Sequence, residues 1–419
     1  MAKMTPYPKY KPSGIEWIGD IPEHWKVKRL KYIAHANPSN IDKKSILGEE
    51  EVFLCNYMDV YKNDFITNDI DFMKATASDA QIQKFLLKMG DVLATKDSES
   101  ADDIGIPALV KEDFENVVCG YHLTHIKPTN VNGSYLFRLL QTDYVKSYFE
   151  TAANGVTRYA LGVDDFNDIS VLVPTPAEQT AIANYLDAKT AAIDELIATK
   201  QKLIELYEEE KTALINHAVT KGLNPNAPMK DSGIDWLGEI PEHWEVKKLK
   251  RLAKICNGQD HKNVWDDNGV YPIIGTGGIF GKANNYLHTG PSVILGRKGT
   301  IDKPQYLENP FWSVDTAYYT DIYNTILPKY FFYLCTTINF DQYKYGSAVP
   351  SMTQEVLNQI PFAIALNLKE QQAIVDYIET ESKKIDTQIA NTTQLIELLT
   401  EYRTALISEV VTGKINVTN

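Results

Sequence analysis

The chain has 419 residues, of which 44% are hydrophobic and 23% charged, enough for two to four domains at ~100–200 residues each, with a real apolar core. No apolar run approaches the ~18–20 residues that cross a bilayer, and the polar, Pro-rich stretch from Met1 to Lys11 holds nothing resembling a secretion signal. The net charge of −13 disfavours a nucleic-acid binder on its own, and four scattered cysteines (Cys55, Cys119, Cys256, Cys335) without a CxxC pair fit a reduced, cytoplasmic compartment rather than a zinc ribbon or disulfide framework.

The first element is a phrase that the chain later repeats. Ser13 to Ala34 reads SGIEWIGDIPEHWKVKRLKYIA, and Ser232 to Ala253 reads SGIDWLGEIPEHWEVKKLKRLA, with 15 of 22 positions identical. Such agreement marks an internal duplication. The phrase carries Trp17, Trp25, Trp236 and Trp244, which are expected as core anchors, and His24 and His243, expected as packed structural histidines.

The first variable segment follows, and the acidity sits here: residues 35–173 hold 12 basic and 22 acidic side chains, whereas residues 1–34 hold 7 and 3. Gly90 to Lys96 reads as a turn and a short strand, and Val117 to Thr124 as another strand. The segment closes on a polar loop and short helix carrying Leu161, Phe166, Asn167 and Ile169.

From Ala177 to Ala218 there is neither Pro nor Gly. Apolar residues at Ile182, Leu186, Ile193, Leu196, Leu203, Tyr207 and Leu214 form a heptad-like stripe. Pro176 and Gly222 are the start and stop signals. About 42 residues of helix at ~1.5 Å each extend roughly 60 Å. The phrase Glu178-Gln179-x-Ala181-Ile182-x-x-Tyr185 returns as Glu370-Gln371-x-Ala373-Ile374-x-x-Tyr377. The second helix carries its own stripe, at Ile374, Ile378, Ile385, Leu395, Leu399, Tyr402 and Leu406. A long helix with one apolar face needs a partner. Like stripes on duplicated helices predict an antiparallel pair across a pseudo-two-fold axis.

Between these copies lies a second variable segment, 27 residues shorter than the first. Ser292 to Thr300 reads as a strand entering a Gly-flanked basic turn, so Lys96 and Arg297 occupy like places after like strands. Phe311 to Tyr319 is aromatic and β-prone. The closing phrase returns with Met352, Leu357, Asn358 and Ile360.

No intact catalytic motif appears. The phosphate-loop pattern fails around Gly275 to Ala283, where Thr276 replaces the first Gly and Ala283 the metal-binding hydroxyl. Asn309-Pro310-Phe311-Trp312 lacks the second Pro of the amino-methyltransferase motif. The eight histidines show no metal-ligand spacing. A duplicated frame with two unlike inserts is instead the design of a recognition module for a bipartite target.

The repeated SGIEWIGDIPEHWKVKRLK and SGIDWLGEIPEHWEVKKLK, the EQxAIxxYL and EQQAIVDYI helix starts, and VILGRKGTID followed by FWSVDTAYY resemble the specificity subunit of type I restriction–modification enzymes over essentially the whole chain. The resemblance implies an α+β architecture. Two mixed α/β target-recognition domains, about 1–173 and 225–360, are joined by helical spacers, about 174–224 and 361–419, packed as an antiparallel coiled coil. It implies a non-catalytic subunit without cofactor or metal. Such a subunit binds asymmetric bipartite double-stranded DNA and directs two adenine methyltransferase subunits and, optionally, two translocating endonuclease subunits. Candidate base readers are loop residues able to reach the major groove: Arg297, Lys298 and Thr300 in the second domain; Lys96, Asp97 and Ser98 in the first. Tyr121, His122, Arg158 and Tyr159, with Tyr318, Ser347 and Gln354, join them. Basic side chains are expected to gather on the DNA face while acids cover the rest. The competing readings are a coiled-coil scaffold whose lobes bind proteins and, weaker still, a two-lobed enzyme.

Overall fold

The computed structural model describes residues 6–15, 17–344 and 350–418. The chain divides into two compact units, Met1–Lys200 with Gln394–Asn419, and Gln201–Thr393. The division falls inside both long helices, Pro176–Lys221 and Leu368–Val411. Pro176 is the first residue of its helix, where a missing N–H costs nothing. Gly222 and Gly413 follow the two helices at φ +75° and +74°, the left-handed backbone that ends a helix and that a side chain resists.

In the first unit, the start of the first long helix packs on the end of the second. Ile182, Leu186 and Ile193 share a core with Leu406, Ile407, Val410 and Val411. Arg403 Nε donates to Asp194 Oδ1 at 2.8 Å. In the second unit the end of the first helix meets the start of the second: Ala218 and Val219 share a core with Ile374, Val375 and Ile378, and Lys211 Nζ donates to Asp386 Oδ1 at 2.7 Å. Start against end in both units means that the helix pieces run antiparallel. Lys211 and Arg403 stand at equivalent repeat positions, as do Asp194 and Asp386, so the two ion pairs are copies of each other. The seam is narrower than the stripe predicts, because Leu196, Leu395 and Tyr402 stay substantially exposed. A two-helix contact covers only part of an apolar face this wide.

The repeated phrases explain each other. In the first unit Trp25 is fully buried, donates through Nε1 to Glu178 Oε1 at 3.1 Å and lies against Gly413. In the second, Trp244 is fully buried, donates to Glu370 Oε1 at 2.9 Å and lies against Gly222. Each indole thereby closes the start of one long helix on the end of the other. His24 Nε2 stands 2.8 Å from Glu178 Oε1, and His243 Nε2 3.1 Å from Glu370 Oε1, so both histidines are structural partners of the helix-start carboxylate. The following glutamines pin the mixed α/β domains: Gln179 accepts from Asn132 N and donates to Pro174 O, and Gln371 accepts from Leu327 N and donates to Ala365 O. Trp17 and Trp236 correct the expectation of four core anchors, being 61% and 36% exposed. In both copies the neighbouring aliphatic, Ile18 or Leu237, takes the buried place instead.

The first mixed α/β domain has a five-stranded sheet in the order Ala34–Pro38, Leu123–Pro128, Val92–Thr95, Pro107–Val110, Phe65–Ile66, antiparallel except for the last pair. A three-stranded sheet sets Val117–Cys119, Glu50–Cys55 and Met73–Ala77 beside one another. The run from Val117 to Thr124 is thus two strands in two sheets, and the break at Gly120 exposes Tyr121. The second domain repeats the scheme with fewer strands: Ala253–Asn257, Ala317–Ile322, Ser292–Gly296, Gln305–Leu307 in one antiparallel sheet, and Gly278–Ala283, Tyr271–Gly275, Trp312–Ser313 in another. Each domain is closed by a strand pair joining the repeat phrase to the segment before the long helix, Lys26–Arg29 with Ser170–Val173, and Glu245–Lys248 with Pro361–Ile364.

Candidate nucleic-acid interface

In the first unit, strand Val92–Thr95 is buried throughout and delivers Lys96 to the sheet edge. Lys96 N donates to His122 O at 3.0 Å, and Leu161 N donates to Lys96 O at 2.8 Å. Asp97–Ser98 then pairs with Tyr159–Ala160 as a short antiparallel ladder. Three segments distant in sequence are therefore held side by side. Four of the seven candidates here, Asp97, Ser98, His122 and Arg158, line one cleft; Tyr159 pairs with Ser98 beside it, and Tyr121 stands against Lys96.

The cleft encloses about 480 Å³ and is lined by Tyr57, Asp97, Ser98, Glu99, Asp103, His122, Thr157 and Arg158. Asp97 lies at its base with a side chain only 12% exposed. Both Asp97 carboxylate oxygens are 2.9 Å from His122 Nδ1, and Arg158 Nη2 donates to Oδ1 at 2.6 Å. Tyr57 stacks on Tyr61 with ring centroids 5.5 Å apart, and Tyr61 donates to Asp103 at 3.0 Å. Lys96 is engaged with its own domain: Nζ donates to Ser39 O at 3.0 Å and sits 4.4 Å from the Tyr121 ring centre. Burial lowers its pKa, against an opposing pull from Asp97.

Further along the same sheet is a basic cleft of about 530 Å³, lined by Lys31, Ala34, His35, Ala36, Asn37, Lys84, Lys127 and Asn167. Lys31 is paired with Asp168, whereas Lys127 Nζ donates only to a backbone carbonyl, that of Lys84. Nothing in the local sequence marks this cleft. Lys31, Lys84 and Lys127 come from three separated segments, and only the sheet order gathers them.

In the second unit the same backbone scheme recurs. Arg297 N donates to Thr316 O at 3.0 Å, Met352 N donates to Arg297 O at 2.9 Å, and Lys298 bridges to Ser351. Arg297 therefore stands where Lys96 stands, and Met352 where Leu161 stands. Arg297 is half-buried and donates through Nη1 to Asp315 O at 3.2 Å, Lys298 is exposed, and Thr300 is half-buried. Gln354 donates to Asn257 Oδ1 at 3.1 Å beside this edge. Tyr318 is 5% exposed and donates to Met352 O, which places its ring in the core rather than at the exposed edge. Ser347 lies outside the described residues. Among the described residues, no group of three or more His, Cys, Asp or Glu side chains could hold a metal, and no helix is long and apolar enough to cross a membrane.

One backbone scheme, set at the same place in two copies of one fold and carrying unlike side chains in each, defines a duplicated protein with two divergent sites. The family model for the type I restriction modification DNA specificity domain matches residues 22–206 and 241–400, and the chain belongs to that family. The MjaVIII specificity subunit of Methanocaldococcus jannaschii is 25% identical across 95% of each chain. The putative MjaX specificity subunit of the same organism is 27% identical over 58% of this chain and 56% of its own length. The EcoDI specificity subunit of Escherichia coli is 26% identical over 52% of this chain and 48% of its own. The fold is that of a chain from a solved type I R-M system (TM-score 0.72, 12% identity, 93% of this chain and 98% of that one) and of the HsdS subunit from Thermoanaerobacter tengcongensis (TM-score 0.53, 14% identity, 94% and 98%).

Proposed function

We propose that this chain is the non-catalytic DNA-specificity subunit of a cytoplasmic type I restriction–modification enzyme. Each recognition domain reads one half of an asymmetric bipartite target, and the paired helices set the gap. Two adenine methyltransferase subunits, and two endonuclease subunits where present, act at the site it selects. One observation carries the reading: the two units share a backbone scheme down to equivalent hydrogen bonds, yet differ in the side chains offered at that edge. Asp97, His122 and Arg158 stand at the first edge and Arg297 and Lys298 at the second. A common frame with unlike heads is what an asymmetric two-part target demands.

The net charge of −13 is compatible with DNA binding because attraction to phosphates is local. The lysine-lined cleft supplies it in the first unit, and partner subunits supply more. Mapping methylated adenines in cells carrying the chain with its methyltransferase partner tests the proposal. The expected result is one bipartite motif with a fixed gap, abolished when this chain is deleted. Methylation that ignores the chain, with no retention of the assembled complex on DNA at low salt, would instead establish the protein-binding scaffold.

A further inference from the structure

We infer that Arg158 reads a base edge, a guanine in the half-site of the first recognition domain, and that Asp97 is the positioning residue that aims it; this rests on the DNA-specificity reading above. Charge separates a base contact from a phosphate contact. A phosphate contact needs a net cation, but Arg158 shares the Asp97 carboxylate at 2.6 Å, and the pair sums to zero. Asp97 is also buried to 12% side-chain exposure, whereas Arg158 remains 58% exposed. The carboxylate thus removes most of the long-range attraction while leaving the directed N–H groups of an exposed guanidinium. That combination suits a guanine edge, where Arg donates to O6 and N7, far better than a phosphate, where charge dominates.

Only Nη2 of Arg158 is committed, to Asp97, and it passes 3.1 Å from His122 Nδ1. Nη1 and Nε have no partner among the hydrogen bonds of the described residues, so one edge of the guanidinium fork is anchored and the other is free. His122 holds the anchor. Its Nδ1 lies 2.9 Å from both carboxylate oxygens, so Nδ1 carries the proton donated to Asp97. The ladder Ala160↔Asp97 and Tyr159↔Ser98 fixes the loop that bears Arg158 against the strand end that bears Asp97. An arginine tethered at one end by a buried carboxylate loses little rotamer entropy on binding, which is the condition for selective readout.

The test uses the assembled complex with its methyltransferase subunits. A randomised duplex pool first defines the wild-type target, and single-base variants of that target are then titrated across a salt series. Arg158→Ala and Arg158→Lys should each lose roughly 5- to 150-fold discrimination at one and the same G·C pair of one half-site. The other half-site and the salt slope should stay unchanged. Arg158→Lys is decisive because it keeps the charge and loses the fork. Asp97→Asn should weaken discrimination at that same pair and nowhere else, with an unchanged melting temperature confirming the fold. Lys84→Ala is the contrast: removing a cation that faces phosphate should reduce affinity alike for every sequence and lower the salt slope by ~0.9. A uniform loss and shallower slope for Arg158→Ala, or full rescue by lysine, would make Arg158 a phosphate contact and overturn the inference. Unchanged selectivity in all three variants of Arg158 and Asp97 would overturn it too. A wild-type complex with no sequence preference at all would instead bring down the DNA-specificity reading itself.

Discussion

The first and second units solve the same mechanical problem with different chemistry where each recognition domain meets its piece of helix. In the first, Arg138 is fully buried, and its guanidinium donates to Asp187, Thr190 and Gln141. Lys111 reaches the same Asp187, and Arg403 joins Asp64 to Asp194. In the second unit the repeat places Tyr333 where Arg138 stands and Ser382 where Thr190 stands. Ser382 Oγ is buried without a hydrogen-bond partner among the described residues, and a cleft of about 640 Å³ opens between Phe332, Tyr333, Lys211 and Asp386. Beside it Lys329 pairs with Glu379, both side chains more than two-fifths exposed. The contrast teaches which parts of the duplication are essential to folding. The Trp–Glu–Gly junction is kept in both copies, whereas the polar clamp is free to vary, because apolar packing already holds each domain to its helix.

That comparison breaks most visibly at the shared junction. Trp25→Ala and Trp244→Ala each remove a fully buried indole, and each should cost about 3–5 kcal/mol. Denaturant titration of the two variants should give losses alike within about 1 kcal/mol, since the junctions are copies. A large loss in one unit and almost none in the other would mean that only one junction holds its fold.

The polar clamp should behave the opposite way. Asp187→Ala leaves Arg138 buried with only Thr190 and Gln141 as side-chain partners, and should destabilise by about 3 kcal/mol, the lower range for a broken buried pair. Glu379→Ala removes an exposed partner and should cost about 0–1 kcal/mol. Equal losses would show that the second unit depends on its surface pair as much as the first does on its buried one.

Arg297→Ala sharpens the comparison at the reading edge. It should weaken specific binding of the assembled complex by about 1–3 kcal/mol and relax only the half-site read by the second domain. A titration against duplexes altered in one half-site at a time shows whether the relaxation stays in that half.

Much of this was legible in the residues. The 15-in-22 repeat and the Glu-Gln helix starts announce the frame, because an obligatory junction fixes side-chain identity in both copies. The long helices follow from an unbroken run free of Pro and Gly. Lys96 and Arg297 stand out because each follows a buried strand. The Asp97–His122–Arg158 cluster could be named residue by residue, but its cohesion could not, since 61 residues separate Asp97 from Arg158 and only sheet pairing closes that distance. The lysine-lined cleft was invisible for the same reason. Trp17 and Trp236 misled because duplication marks a constraint without saying whether the constraint is burial. The break at Gly120 was hidden inside a β-prone run, where composition does not reveal a change of sheet.

The smallest expected effect is a pH dependence at the first junction. Burial by itself would raise the Glu178 carboxyl; hydrogen bonds from Thr175, His24 and Trp25 outweigh it and hold the carboxyl below its ordinary 4.5. A carboxyl depressed in the folded state binds fewer protons there than in the unfolded chain. Its stabilisation is therefore present above pH 4.5 and is lost as pH falls through the lower folded value. His125 acts in the same sense over a different window. It is fully buried against Asp91 at 2.7 Å, and desolvation lowers its pKa below 6.5 despite that carboxylate. The stability that it contributes is lost as pH falls from 6.5. Unfolding of the first unit should thus become easier in two stages on acidification. Glu178→Gln, which keeps the side chain's size but does not titrate, should remove the lower stage and leave the upper one, on a baseline lowered at every pH because an amide nitrogen cannot accept as the second carboxylate oxygen does. Denaturant midpoints measured from pH 7 down to about pH 2 in both proteins test this, and a lower stage that survives in Glu178→Gln would assign it to another carboxyl.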